Sequence, residues 1–150
     1  MSLEIYGEFA VGYDIARSLT YLGDATLMSG DLTAARKDYL DALQISIEEK
    51  TIPIALDALL GLSDVQARVG NTEHALVLCY HILCHPSSEE DTKSRAEQLR
   101  ATLEPKLNPE EVMAARSMAT EHTFEMIVKA AQETAFNFGD SFTAKNDPQF

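Results

Sequence analysis

The chain has 150 residues, of which 45% are hydrophobic and 24% are charged, a composition typical of one folded domain and not of a disordered chain. Its 24 acidic and 12 basic residues give a net charge of -12, which opposes binding to nucleic acids and to anionic membranes. Two cysteines exclude a disulfide-rich secreted framework, and no apolar run is long enough to cross a bilayer, so we expect a cytoplasmic domain with a basic or apolar partner.

Apolar residues recur at three- and four-residue spacing along most of the chain, and this period predicts an all-α fold. Glycine and proline divide the pattern into seven helices. The predicted helices begin at about Gly12, Asp31, Pro53, Asn71, Ser87, Asn108 and Thr123. The first is expected to end at Gly30, because glycine readily adopts the left-handed backbone conformation that ends a helix.

Three of these starts carry side chains that can cap a helix. Asp31 can accept a hydrogen bond from the first turn of the second helix. Ser87 is followed three residues later by Glu90, which predicts a reciprocal capping box. Asn108 precedes a proline and two acidic residues, the clearest start signal in the chain, because proline suits the first helical position and acids suit the positive helix end.

An internal repeat becomes visible when the sequence is shifted against itself by 40 residues, with six identities in a window of 25. The identical pairs are Leu19 and Leu59, Leu22 and Leu62, Asp24 and Asp64, Gly30 and Gly70, Ala35 and Ala75, and Leu43 and Leu83. Such a repeat indicates helical hairpins that stack, because one hairpin cannot cover its own apolar face. We expect repeats over residues 12–50 and 52–86, capping helices over 88–136, a single domain over 1–139 and a flexible tail over 140–150.

The spacing of the repeated residues resembles the tetratricopeptide repeat, in which a small residue lets paired helices approach and a glycine turns the chain between them. The residues that carry the resemblance are Leu22, Gly23, Gly30, Leu32, Ala35, Tyr39, Ala42 and Leu43. The second copy keeps the spacing but has Ser63 and Cys79 at the small and aromatic positions. The segment beyond it is similar to the C-terminal ends of large bacterial ATPase-type transcription and signalling regulators. The resemblance implies a right-handed α-α superhelix of about seven helices.

In tetratricopeptide proteins the first helix of each hairpin lines a groove where partners bind. The resemblance implies that the groove of this chain is lined by Arg17, Thr20, Tyr21, Asp24, Leu27 and Met28, and by Asp57, Leu60, Gly61, Asp64, Ala67 and Arg68. The lysines and asparagines with which chaperone-binding members clamp a peptide carboxylate are absent. Asp24 and Asp64 recur at equivalent positions, so one hypothesis is an acidic ladder that reads a basic segment. The alternative is two solvated residues on an open helix face.

Residues 79–86 contain both cysteines and two of the four histidines, a composition that suggests a metal site. A helical wheel at about 100° per residue separates them, however, because His74, His81 and His85 share one face and Cys79 lies on the apolar face. Cys79 also occupies the position of Tyr39 in the first copy. We therefore expect Cys79 to be buried, His81 and His85 to face away from the core, and no functional metal site.

No catalytic arrangement is indicated, because the adjacent acidic pairs of the chain point in different directions on a helix. We therefore predict a non-catalytic, cofactor-free protein-interaction or regulatory module, most simply the C-terminal part of a larger bacterial regulator, with a protein or peptide partner. Alternatives are a free-standing tetratricopeptide scaffold and a small metal-dependent enzyme in a helical fold. The apolar residues Tyr6, Phe9 and Val11 suggest the remnant of an upstream hairpin, and a homodimer through the exposed ends of the solenoid is a further expectation.

Overall fold

A computed structural model of the chain describes the backbone of residues 2–136 and the side chains of residues 12–133. This part of the chain contains seven α-helices and no strand. They are α1 (Ser2–Met28), α2 (Leu32–Glu48), α3 (Ile52–Arg68), α4 (Thr72–Cys84), α5 (Glu90–Leu103), α6 (Pro109–Glu121) and α7 (Phe124–Phe136). A 3-10 turn over Glu104–Lys106 joins α5 to α6. The predicted all-α fold is confirmed.

The first five helices form hairpins that stack on one another. The helix α2 packs against both α1 and α3, and α4 packs against both α3 and α5. The helices α1, α3 and α5 lie side by side and form one face of the molecule. The turns at Gly30 and Gly70 have φ angles of 93° and 94°, the left-handed conformation that glycine adopts without strain. The predicted stacking of two similar hairpins is confirmed.

The start of α1 was placed wrongly by the sequence, because the helix begins at Ser2 and not near Gly12. No proline interrupts residues 2–28, and an interior glycine costs a helix only about 1 kcal/mol. Gly12 has a packing reason as well, since a Cβ atom there would lie 2.7 Å from the side chain of Glu49, the residue that follows α2. The side chains of Tyr6, Phe9 and Val11 lie outside the described residues.

Two of the three predicted caps are confirmed. The Asp31 side chain accepts a hydrogen bond from the Ala34 amide at 3.1 Å, and Asn108 forms a reciprocal capping box with Glu111. The capping box at Ser87 is wrong, because α5 begins at Glu90. The Ser87 amide donates instead to Nδ1 of His85 at 3.0 Å, so this residue belongs to the turn that follows α4.

The C-terminal helices depart from simple hairpin stacking. The helix α6 packs on α4 in preference to α5, and small buried residues at Ala115 and Ala119 allow the close approach. The helix α7 returns to contact α2, α3 and α4. It buries Ile127 and Ala131, whereas Met126 is half exposed. The helices α6 and α7 therefore cover the second hairpin more than the first.

The predicted flexible tail, residues 140–150, lies outside the described residues. Among the helices that the structure does describe, none combines the length and the apolar character needed to cross a membrane.

Candidate partner-binding face

A cavity of about 280 Å³ opens on the face formed by α1, α3 and α5. The two repeated aspartates, Asp24 of α1 and Asp64 of α3, both lie in the walls of this cavity. Four residues of α5 complete it, although the sequence had not pointed to them. The full lining, here called the acidic cavity, is Asp24, Leu27, Tyr39, Leu60, Gly61, Asp64, Arg95, Gln98, Leu99 and Thr102. The α5 residues recur at three- and four-residue spacing, which is the signal for one helix face that could have revealed them.

Tyr39 of α2 reaches this cavity by passing between two glycines. Its ring lies 2.7 Å from the position that a Cβ atom would take on Gly23. The ring lies closer still to the position that a Cβ atom would take on Gly61. The Tyr39 hydroxyl then donates a hydrogen bond of 2.5 Å to the Asp24 carboxylate. Burial, together with this bond to an anion, raises the pKa of Tyr39 well above its usual value, so the phenol stays a donor and fixes the orientation of Asp24.

Asp64 has a different environment from Asp24. Its carboxylate accepts a hydrogen bond from Nε of Arg68, one turn later in α3, at 3.0 Å. The residue in the second repeat that corresponds to Tyr39 is Cys79, whose shorter side chain stops at the Ser63 hydroxyl, 3.3 Å away. The two aspartates thus share a cavity, but a buried phenol holds one and a surface arginine holds the other.

Asp57 and Arg17, both predicted to line the groove, bind each other beneath the face. Asp57 is buried, with 5% of its side chain exposed, and its carboxylate pairs with Arg95 of α5 and, at 3.7 Å, with Arg17 of α1. Burial raises the pKa of Asp57, and the two guanidinium groups oppose this shift. Arg17 also contacts Glu89 at 3.5 Å. This cluster ties α5 to α1 and α3, so these side chains hold the face together.

The remaining predicted groove residues divide into buried and exposed ones. Thr20 is buried and donates a hydrogen bond of 2.6 Å to the Arg17 carbonyl, and Leu60 is buried in the cavity wall. Tyr21 and Met28 are exposed on α1. They lie three residues before and four residues after Asp24, so the three side chains occupy one side of the helix.

The cysteine and histidine segment does not form the surface predicted for it. Cys79 is buried, as expected, and burial raises the pKa of its thiol to about 11. His81, expected to face away from the core, is only 8% exposed because α6 and α7 cover it. Its Nδ1 lies 3.2 Å from the Ala119 carbonyl, and its ring stacks on Phe124. Among the described residues, no group of three or more histidine, cysteine, aspartate or glutamate side chains is placed to hold a metal ion.

No protein-family model, curated protein or solved structure matches this chain. The resemblance to tetratricopeptide repeats, and with it the assignment to a larger bacterial regulator, therefore stays a prediction from the sequence. A functional proposal must rest on the geometry of the face formed by α1, α3 and α5.

Proposed function

We propose that the chain is a non-catalytic protein-interaction module that binds a basic peptide segment on the face of α1, α3 and α5. The observation that carries the proposal is the meeting of Asp24 and Asp64 in the acidic cavity. They come from equivalent positions of two repeats, so each hairpin contributes one carboxylate to the same place. Two carboxylates in one cleft concentrate negative potential, which favours a cationic group.

The shape and lining of the acidic cavity suit a lysine side chain. Leu27, Leu60 and Leu99 provide apolar walls for its methylene stem, while Asp24 and Asp64 can accept hydrogen bonds from its ammonium group. The volume of about 280 Å³ is just below the range of about 300–1,000 Å³ typical of pockets for small molecules. A single side chain anchored from an extended partner fits this size better than a whole cofactor or substrate.

The ionisable groups of the cavity are arranged to bind a cation and not to transfer a proton in catalysis. The Tyr39 hydroxyl and the Arg68 guanidinium hold the two carboxylates, and the raised pKa of Tyr39 keeps its proton in place at neutral pH. Arg95 also lines the cavity, but its guanidinium is engaged by Asp57 and Asp91. Beside the cavity, exposed Tyr21 and Met28 offer apolar contacts to the residues that flank the lysine.

The proposal is tested with short fluorescent peptides in which one lysine is flanked by apolar residues, and with matched peptides that carry glutamine instead. We expect the chain to prefer the lysine peptides. Asp24→Asn with Asp64→Asn should weaken this binding about tenfold, a loss of about 1.4 kcal/mol. Fluorescence anisotropy at low and physiological salt measures both effects.

A matched control changes the net charge equally at a distance from the face. Glu110→Gln with Glu121→Gln removes two exposed carboxylates of α6 and should leave the peptide affinity unchanged. Equal losses in the two double variants would mean that the peptide responds only to overall charge, and the proposal would then be wrong. It would also be wrong if the glutamine peptides bound as well as the lysine peptides.

A further inference from the structure

An apolar strip lies exposed on a second side of α1. Ile15 and Leu22 are 45% and 52% exposed, and Leu19 is partly buried between them. With Ser18 they line a shallow cavity of about 300 Å³, bordered by Asp14. Ile15, Ser18, Leu19 and Leu22, here called the α1 strip, recur at the three- and four-residue spacing of one helix face. Asp24 and Tyr21 lie on another side of the helix, so the strip is separate from the acidic cavity.

The internal repeat shows what such a face does elsewhere in the molecule. The residues of α3 that correspond to the α1 strip, 40 positions later, are all fully buried. They are Ala55, Ala58, Leu59 and Leu62. The helix α3 packs between its own partner α4 and the helix α2 of the preceding hairpin. Among the described residues, α1 makes such extensive contact with its own partner α2 alone. In the described part of the chain, no helix occupies on α1 the place that α2 occupies on α3.

The border of the α1 strip is acidic. Asp14 lines its cavity, and the Asp38 carboxylate accepts a hydrogen bond of 3.3 Å from Thr26, one turn after Leu22. Glu49 lies over Gly12, one turn before Ile15. Two cations of α1 and α2 are engaged elsewhere, since Arg17 pairs with Asp57 and Glu89, and Lys37 pairs with Asp41 at 3.0 Å.

We propose that the α1 strip is the docking site of a basic amphipathic helix from another protein, which takes on α1 the place that α2 takes on α3. The apolar face of the incoming helix covers Ile15, Leu19 and Leu22, and lysines or arginines on its flanks pair with the acidic border. A second copy of this chain is a poor occupant. Two α1 helices packed through the strip would bring the same carboxylates together, in a chain whose net charge is already -12.

The probe for this site is a peptide with the sequence of residues 31–50, the segment that forms α2 and packs on α3. One version keeps that sequence, and a basic version carries Asp41→Lys and Glu48→Lys. We expect the basic peptide to bind about tenfold more tightly than the native one at low salt, and to lose this advantage as salt is added. In NMR spectra of the labelled chain, the amide signals of Ile15, Leu19 and Leu22 should shift.

Variants of the chain then locate the contact. Ile15→Ser with Leu22→Ser should weaken the basic peptide about tenfold without unfolding the chain, because both side chains are half exposed. Met113→Ser with Met118→Ser removes exposed apolar surface from α6 and should leave the affinity unchanged. In Asp24→Asn with Asp64→Asn the basic peptide should still shift the amide signals of Ile15, Leu19 and Leu22, so the two proposals fail independently.

Three results would overturn the proposal. One is unchanged binding of the basic peptide by the Ile15 and Leu22 double variant. Another is equal affinity for the basic and the native peptide, since the acidic border would then play no part. The third is a dimer in sedimentation that becomes a monomer on the same double substitution, because the occupant would then be a second copy of the chain.

Discussion

The two repeats have turns of the same backbone conformation but different side chains where their helices meet. In the first repeat, glycine at position 23 faces the large ring of Tyr39, and in the second, Ser63 faces the small thiol of Cys79. Only the longer side chain crosses the helix layer to meet a carboxylate in the acidic cavity. This exchange of large and small residues decides which hairpin sends a buried group to the face.

The two repeats also differ in charge and in how far other helices cover them. Arg17 and Asp57 occupy equivalent positions with opposite charges, and they pair with each other across α1 and α3. On the outer side of the hairpins, Asp41 of the first repeat is open to solvent, whereas its counterpart His81 lies beneath α6 and α7. Equivalent positions in a repeat thus need not have equivalent roles, because each repeat has different neighbours.

The largest expected effect comes from removing the ring that distinguishes the first repeat. Tyr39 is almost fully buried, so Tyr39→Ala leaves a cavity between α1, α2 and α3. We expect the free energy of unfolding to fall by about 3–5 kcal/mol, the usual cost of truncating a buried aromatic residue. Urea denaturation of the variant and of the parent chain measures this loss.

Two controls separate the ring from the hydroxyl and the first repeat from the second. Tyr39→Phe keeps the ring and loses only the bond to Asp24, which should cost about 1–2 kcal/mol. Cys79→Ala, at the equivalent position, removes a single buried sulfur atom and should cost much less than Tyr39→Ala. Equal losses in Tyr39→Ala and Cys79→Ala would contradict the difference between the repeats.

An intermediate effect is expected when the first repeat is given the residues of the second. Gly23→Ser should destabilise the chain by about 1–3 kcal/mol, because the added Cβ atom meets the Tyr39 ring. Adding Tyr39→Cys removes that ring and recreates the pair found at Ser63 and Cys79. The double variant should therefore be more stable than the sum of the two single losses predicts, with a coupling of about 1 kcal/mol or more. Strict additivity would show that the two positions do not compensate each other.

Much of the fold follows from local signals, which a sequence displays directly. The turns at Gly30 and Gly70, the caps at Asp31 and Asn108, and the burial of Cys79 each depend on residues within one hairpin. The shift of 40 residues then predicts that the hairpins stack, because one hairpin cannot cover its own apolar face.

The candidate site depends on contacts between distant elements, and the sequence shows these poorly. Arg95 lies 38 residues from Asp57, and nothing local marks it as the partner of a buried carboxylate. The sequence did indicate that Asp57 needs a partner. It lies among apolar residues of α3, and a buried carboxylate requires a cation or hydrogen bonds. His81 was assigned to the exposed side for a related reason, because the wheel of one helix does not show that α6 and α7 cover it.

The smallest expected effect concerns this covered side of the second hairpin. Burial, and to a lesser degree the neighbouring His81, lowers the pKa of His85 below its usual value of about 6.5. Nδ1 of His85 accepts a hydrogen bond from the Ser87 amide, a role that only the neutral ring can play. The unfolded chain takes up this proton first as pH falls, so the stabilising contribution is complete above about pH 6.5 and is lost below it.

NMR titration should show His85 ring and Ser87 amide signals moving together, with a midpoint below 6.5. Phe124 of α7 lies edge-to-face with the His85 ring, 5.2 Å between centroids, so Phe124→Ala uncovers the ring and should raise that midpoint. A midpoint already at the usual value in the parent chain would mean that α7 does not shield His85. The first repeat has Ile45 at this position, so it should pass through the same pH range without a corresponding change at its own turn, and acid should loosen the second hairpin before the first.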